Sequence, residues 1–343
     1  MKRRLWTIAA GLASVAALVA VPAAYAAYTT AKLEVRQAGT AVTVKATLSP
    51  DDDPTASVRI FAPTGTTVTT TQAPGTVLGT VRAVVKALDL GGADLPLEGQ
   101  LIVAAPGQVP ATTQAQCLGS VTPVATWVMT LGAAGQTLTV PTYLIVTAGN
   151  PLGAGYIQVC LPPPDIPAGA PGRATFGAKL YSAELTITGV FSAVANARWT
   201  AFWTPYRPGV GQVNAAGTVA SPAQIAAGAV TISARRLGNR RSTRARVTGT
   251  VTQGGQPRAG VTVVVRGGPR AAALRRLGSA RTRANGSWSL QVRSGVFFRA
   301  NATAPSAAAT VLCTALTPVI APVPCVNPTT SGFTAQSRVV RKR

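Results

Sequence analysis

Apolar and polar residues alternate one by one through residues 32–48, KLEVRQAGTAVTVKATL, on either side of Gln37-Ala38-Gly39. A period of two sends successive side chains to opposite faces of an extended chain, so this segment is expected to be a half-buried hairpin. Similar short runs follow at 56–61, 77–88, 97–104, 124–131, 137–146, 155–161, 178–188 and 194–203. Asp51-Asp52-Asp53-Pro54 reads as a turn, and the Thr-rich residues 65–75 as a long loop or an edge strand. Beyond a Pro- and Gly-rich stretch the runs resume at 229–236, 244–253, 261–266, 274–283, 287–292 and 296–303. Gly238-Asn239, Gly254-Gly255, Gly267-Gly268-Pro269, Asn285-Gly286 and Ser294-Gly295 stand between them. Asn-Gly is a strong hairpin signal because both residues tolerate positive φ. Even spacing of strands and turns implies an all-β fold of two consecutive β-sandwich domains, 27–226 and 227–304, with a tail over 305–343. Pro162-Pro163-Pro164 is expected to be a stiff crossing within the first domain. Gly and Pro are frequent (34 and 26 of 343 residues) but show no collagen period, and the apolar runs are too regular for a disordered chain.

The first 26 residues follow a different rule. Lys2, Arg3 and Arg4 precede an uncharged apolar run over 5–21; Pro22 breaks it and Ala24-Tyr25-Ala26 offers small residues. This is the pattern of a secretory signal peptide cleaved after Ala26, the alternative being an anchor helix of marginal length. The expected product is secreted or extracellular, with no transmembrane segment in the mature chain. Four cysteines, Cys117, Cys160, Cys313 and Cys325, then suggest two disulfides. Of three connectivities, pairing of sequence neighbours, Cys117–Cys160 and Cys313–Cys325, is expected. A metal site is the rival, but the chain has no CxxC spacing and no histidine.

Charge divides the chain. All nine carboxylates lie at or before Glu184, whereas 21 of the 32 Lys and Arg lie after it. Such a surface suits polyanions, and Arg235, Arg236, Arg240, Arg241, Arg244, Arg275 and Arg276 are the candidate contacts for an anionic cell-wall polymer or polysaccharide. The competing reading is a coding preference for Arg as the solubilising residue. No specific nucleic-acid partner is implied. The terminal residues 338–343, also basic, are expected to fray.

Catalytic chemistry finds little support. Without histidine there is no Ser-His-Asp or Cys-His system, and neither GxSxG, SxxK nor a phosphate-cradling loop occurs. Asp89, Asp94 and Glu98 are the candidates for a carboxylate hydrolase, weighed against solvated loop charges. Asp51, Asp52 and Asp53 are weighed as a calcium site against a simple turn. No cofactor is expected. Trp199, Trp203 and Tyr206 form the main aromatic cluster; exposed, Trp199 and Trp203 would stack on a sugar, and otherwise they are core. The sequons at Asn285 and Asn301 are expected to be unmodified.

Residues 247–251 (VTGTV), Gln256-Pro257, residues 260–263 (GVTV) and residues 281–288 (RTRANGSW) resemble the bacterial Ig-like, carboxypeptidase-regulatory-like (transthyretin-like) module. The resemblance covers residues 229–303 and implies a stalk, spacer or adhesion-type domain on an exported protein. Here the acidic residues usual in such modules are missing, which removes the basis for a calcium-stiffened linker. The sequence reading is therefore a secreted, non-catalytic binding or structural protein, with a carbohydrate-binding module on the Trp199/Trp203 face as the alternative.

Overall fold

The structure is a computed structural model describing residues 28–133, 135–194, 196–239 and 241–343; the expected signal peptide and Arg240 lie outside the described residues. In chain order the first unit contains β1 (Lys32–Ala38), β2 (Ala41–Thr47), β3 (Thr55–Ala62), β4 (Val77–Ala87), β5 (Ala93–Val103), α1 (Ala111–Leu118) and β6 (Ala125–Ala133). It continues with β7 (Gln136–Val146), β8 (Gly155–Cys160), β9 (Ala178–Thr188), β10 (Arg198–Pro205) and β11 (Val219–Gln224). Then come β12 (Gly228–Val230), β13 (Ser233–Arg236), β14 (Ala245–Gln253), β15 (Gln256–Pro257), β16 (Thr262–Gly268), β17 (Arg275–Arg281), β18 (Ser287–Val292) and β19 (Phe297–Ala304). The last elements are β20 (Ala307–Ala308), α2 (Val311–Ile320), β21 (Thr329–Thr330), β22 (Phe333–Gln336) and β23 (Val340–Arg341). The chain is all-β, as its alternating runs imply, with two short helices that carry no comparable signal.

The first unit is one thirteen-stranded ladder, β1-β2-β9-β4-β5-β6-β7-β8-β3-β10-β11-β21-β20, so its facing walls belong to a single sheet. Two long-range insertions make it continuous: β9 pairs with both β2 and β4, and β3 pairs with both β8 and β10. The two ends of the ladder then meet. Ser221 Oγ donates to the Ala31 carbonyl at 2.6 Å, Thr329 Oγ1 donates to the Leu33 carbonyl, and Asn327 Nδ2 to those of Thr29 and Ala31. Side chains thus satisfy the Leu33 carbonyl of β1 and those of Thr29 and Ala31 just before it, groups that would otherwise form a sticky edge.

Alternation fills the inside of this shell. Leu33 and Val35, Val42 and Val44, Val81 and Val85, Leu97 and Leu101, Leu144, Ile157, Leu185 and Ile187 all point inward. A second apolar layer lies outside one wall, where Phe61, Tyr143, Tyr156 and Phe202 are covered by Leu118 of α1 and by Leu316 and Ile320 of α2. The disulfides Cys117–Cys160 and Cys313–Cys325 tie these two helices down.

The second unit is two facing sheets around Val247, Val251, Val263, Val265, Trp288 and Phe298. One sheet centres on β14, flanked by β12, β13, β15 and β18; the other runs β17-β16-β19-β22, with β23 also on β19. Asn285-Gly286 does not make the hairpin expected of it. β17 pairs with β16 and β18 with β14, so this turn carries the chain from one sheet to the other. Gly286, at φ +72°, has the Val251 carbonyl where a Cβ would sit, so both its conformation and its packing require glycine.

Residues 305–343 serve both units: β20 and β21 extend the first ladder, and β22 and β23 pair with β19. The basic terminus is therefore held rather than frayed, with the Arg343 carbonyl accepting from Arg236 N–H at 2.9 Å.

Candidate functional site

Trp199 and Trp203 are not a surface platform. They are 1% and 0% exposed, and Tyr206 is 8% exposed. Strand alternation places both tryptophans on the inner face of β10, where Trp199 meets Phe191 edge-on at 5.3 Å and Trp203 Nε1 donates to Ser221 Oγ at 3.0 Å. The Tyr206 hydroxyl donates to the Leu161 carbonyl at 2.6 Å. A sugar has no access to these rings, so the stacking role is corrected to a core role.

The candidate hydrolase carboxylates are likewise spoken for. Asp89 forms a two-pronged pair with Arg173, whose Nη2 lies 2.8 Å from Oδ1, and Asp94 lies 2.6 Å from Lys86 Nζ. Hydrogen bonding to Arg173 and to Lys86 holds Asp89 and Asp94 below the usual carboxylate range, the reverse of what a general acid needs. Glu98 sits across from Arg82 at 3.4 Å with both side chains 73% exposed. Asp94 and Glu98 are four residues apart along β5, roughly 13 Å at the strand rise, beyond the carboxyl separation of either glycosidase mechanism. In the acidic turn, Asp52 accepts from Thr29 N–H at 2.7 Å, from Thr29 Oγ1 at 2.6 Å and from Ser49 N–H at 2.9 Å. Its oxygens are occupied in anchoring β1 to the turn before β3, which accounts for it without calcium.

The arginines do not form one patch. Arg235 and Arg236 are on β13, Arg241 and Arg244 in the loop before β14, and Arg275 and Arg276 on β17 of the other sheet. Arg235 and Arg276 therefore sit on the outer faces of opposite sheets, whereas Arg236 and Arg275 pair with the buried Ala245 and Gly267 and so fall on the inward-facing rows. Register then reveals partners that spacing alone does not. Arg276 of β17 is directly across from Arg266 of β16, and Arg266 directly across from Arg299 of β19. On the other sheet Arg235 faces Arg246. Directly opposed residues have Cβ atoms about 4.5–5.5 Å apart, and like charges there repel. No carboxylate side chain follows Glu184 to relieve them. Arg299 Nε, at the end of the three-strand row, is shielded from solvent and has no hydrogen-bond acceptor.

The inside of the first ladder holds a second arrangement. Trp127, Phe191 and Trp199 fill one end of the shell. Toward the other end lies a cavity of about 510 Å³ lined by Val44, Val58, Val81, Leu97, Met129 and Trp203, among others. Ala46, Ala183 and Ala83 sit in one register row on the adjacent strands β2, β9 and β4, and all three border it.

No family model and no curated protein matches the chain. Among solved structures it is similar to the T6 backbone pilin of serotype M6 Streptococcus pyogenes, described as modular, with three domains and variable loops and extensions. The likeness has 8% sequence identity and a TM-score of 0.24, and covers 80% of this chain and 46% of the pilin. The chain thus spans about half the length of that protein, and a likeness at this level bears on neither its fold nor its role.

Sequence reasoning missed Arg266, Arg299 and the cavity. Alternation marks each residue as inward or outward but does not say which strands are neighbours. Arg266 and Arg299 were visible as outward charges on valine- and alanine-rich strands, and the three alanines as small inward residues.

Proposed function

We propose that the chain is an exported, non-catalytic binding protein that docks on an anionic polymer, a wall polymer or acidic polysaccharide, through its carboxy-terminal sandwich. The observation carrying this reading is the row Arg276–Arg266–Arg299 across three hydrogen-bonded strands in a half of the chain without acidic side chains. A periodic line of guanidinium groups complements a polymer with repeating negative charge, and each group presents several donors to phosphate, carboxylate or sulfate. An anion at this row relieves the repulsion among the three groups.

The pairing of Asp89, Asp94 and Glu98 with basic side chains supports a role without catalysis. Two disulfides suit an oxidising compartment, and the charged, apolar and small-residue order of residues 1–26 supports export. Among the described residues no helix is long and apolar enough to cross a membrane. The two-sheet arrangement around Trp288 supports assigning residues 227–304 to an Ig-like or transthyretin-like module, a domain type suited to presenting a surface.

The test is binding of the full chain to immobilised polyphosphate and to a sulfated polysaccharide. Affinity is expected to fall roughly tenfold or more between about 50 and 200 mM salt. Replacing Arg266, Arg276 and Arg299 together by Gln is expected to remove most of it while the melting temperature holds or rises. Binding that is insensitive to both salt and these substitutions rules the reading out.

A further inference from the structure

We propose that the cavity inside the first ladder is a binding site for one long aliphatic chain carrying an uncharged head group, such as a fatty or isoprenoid alcohol or its ester. This inference uses none of the residues of the basic sandwich and stands independently of the polymer reading.

The chemistry of the walls selects the chain. Every strand from β2 to β10 contributes to the lining, mostly with Val, Leu, Ile, Ala and Met, and no charged side chain is among the lining residues. Trp203, with no surface exposed, is the single aromatic residue and backs the aliphatic walls, and its one polar atom is already bonded to Ser221. A ligand with buried polar groups would find nothing to satisfy them, whereas methylene groups lose nothing by leaving water for such walls. At about 510 Å³ the space falls within the ~300–1,000 Å³ of ordinary ligand pockets. It also exceeds several-fold the ~150 Å³ engineered apolar cavity that stays dry and admits benzene.

The ladder provides the way in. β6 pairs with β7 along its whole length, from Ala125↔Leu144 to Ala133↔Gln136. On the other side β8 pairs only with Thr142–Val146, because β8 ends at Cys160 and the chain turns away through Leu161 and Pro162. Residues 137–141 of β7 therefore border a gap in the wall, and both their inward and outward members line the cavity. Leu161, Pro162, Ala174 and Thr175 form the far side of this gap, at the two ends of the strap over residues 162–177. Arg173 pins the strap by its pair with Asp89 and by donating from Nε to the Ile166 carbonyl at 2.6 Å. The exposed hydroxyls at the rim, on Thr137, Thr139 and Thr175, suit an uncharged hydroxyl or ester head.

The experiment titrates the full chain with N-phenyl-1-naphthylamine, an uncharged apolar fluorophore, and then competes with 1-hexadecanol, geranylgeraniol and palmitate in separate arms. Saturable uptake near one probe per chain is expected, displaced by the alcohols at lower concentration than by palmitate and unchanged by added salt. Stronger displacement by hexadecanol or by geranylgeraniol tells a straight chain from a branched one. Ala183→Phe, which puts a ring into the empty row, is expected to weaken uptake roughly tenfold or more. Ala83→Leu is the milder filling variant should the first fail to fold. Energy transfer to the probe that drops in Trp203→Phe locates it inside the shell without filling anything. Absence of saturable uptake by the folded wild-type chain overturns the proposal. Uptake that all three variants leave unchanged, or that salt abolishes, overturns it equally.

Discussion

At the scale of single residues, this protein uses buried polar side chains to close gaps that a backbone ladder cannot. Ser221 accepts from Trp203 and donates to Ala31, joining a core ring to an edge strand through one hydroxyl. Asp52 does the same for the start of β1 and titrates, so its role can be read from pH. Burial alone would raise its pKa, but hydrogen bonds from Thr29, Ser49 and Thr30 outweigh that and hold it below the usual range. A depressed folded-state pKa contributes stability that is complete above the unfolded value of about 3.9 and disappears as pH falls through the folded one. The neighbouring Asp53, pushed up by burial, acts in the opposite sense, so the informative quantity is a difference between variants. Asp52→Asn is expected to be less stable than the wild type at pH 6 and to lose less between pH 6 and pH 3 in denaturant titrations. Parallel profiles for the two proteins would remove Asp52 from this role.

At the scale of elements, the helices depend on covalent support. α1 starts at Pro110 without a side-chain cap, and α2 carries Pro318 inside it; at eight and ten residues both are too short to be stable alone. Each is instead held against the aromatic layer of the outer wall by a disulfide. The chain-entropy relation gives about 4 kcal/mol for the 43-residue separation of Cys117 and Cys160 and about 3 kcal/mol for the 12-residue separation of Cys313 and Cys325. Replacing Cys117 and Cys160 together by Ser is therefore expected to cost more than replacing Cys313 and Cys325. Equilibrium unfolding in urea of the two double variants checks the order, and an inverted order contradicts the loop-length account. The expectation of hairpins also meets its limit here. The segment at 32–48 folds into the adjacent pair β1 and β2, whereas Asn285-Gly286 links strands in different sheets, because a tight turn fixes chain reversal and not which strand lies alongside.

At the scale of the molecule, residues 305–343 join what the alternation pattern separates. β20 and β21 continue the ladder past β11, α2 covers its outer aromatic layer, and β22 lies on the edge of β19 in the sandwich. Between them Gln253 Nε2 donates to the Ser331 carbonyl at 2.6 Å, and the Phe333 ring occupies the place of a Cβ at Gly228. Removing residues 305–343 would uncover strand edges on both units at once, and open edges recruit other chains. The truncated protein is expected to melt at lower temperature in both units and to self-associate in size-exclusion chromatography. Unchanged melting with a monomeric profile would show that the segment contributes nothing to either unit.

Most strands before residue 305, their inward faces and the nearest-neighbour cysteine pairs were legible in the sequence, because period-two burial, turn residues and short loop closure are local properties; the strands of residues 305–343, which lie along partners from both units, were not. The imbalance that leaves the rear half without carboxylates was legible for the same reason, being a matter of composition. Three things were decided only by tertiary structure: the burial of Trp199 and Trp203, the row Arg276–Arg266–Arg299, and the space left by Ala46, Ala183 and Ala83. Each depends on which strands become neighbours, and here β9 pairs with β2 across more than a hundred intervening residues. Alternation assigns every side chain to a face, but only long-range register decides what stands beside it.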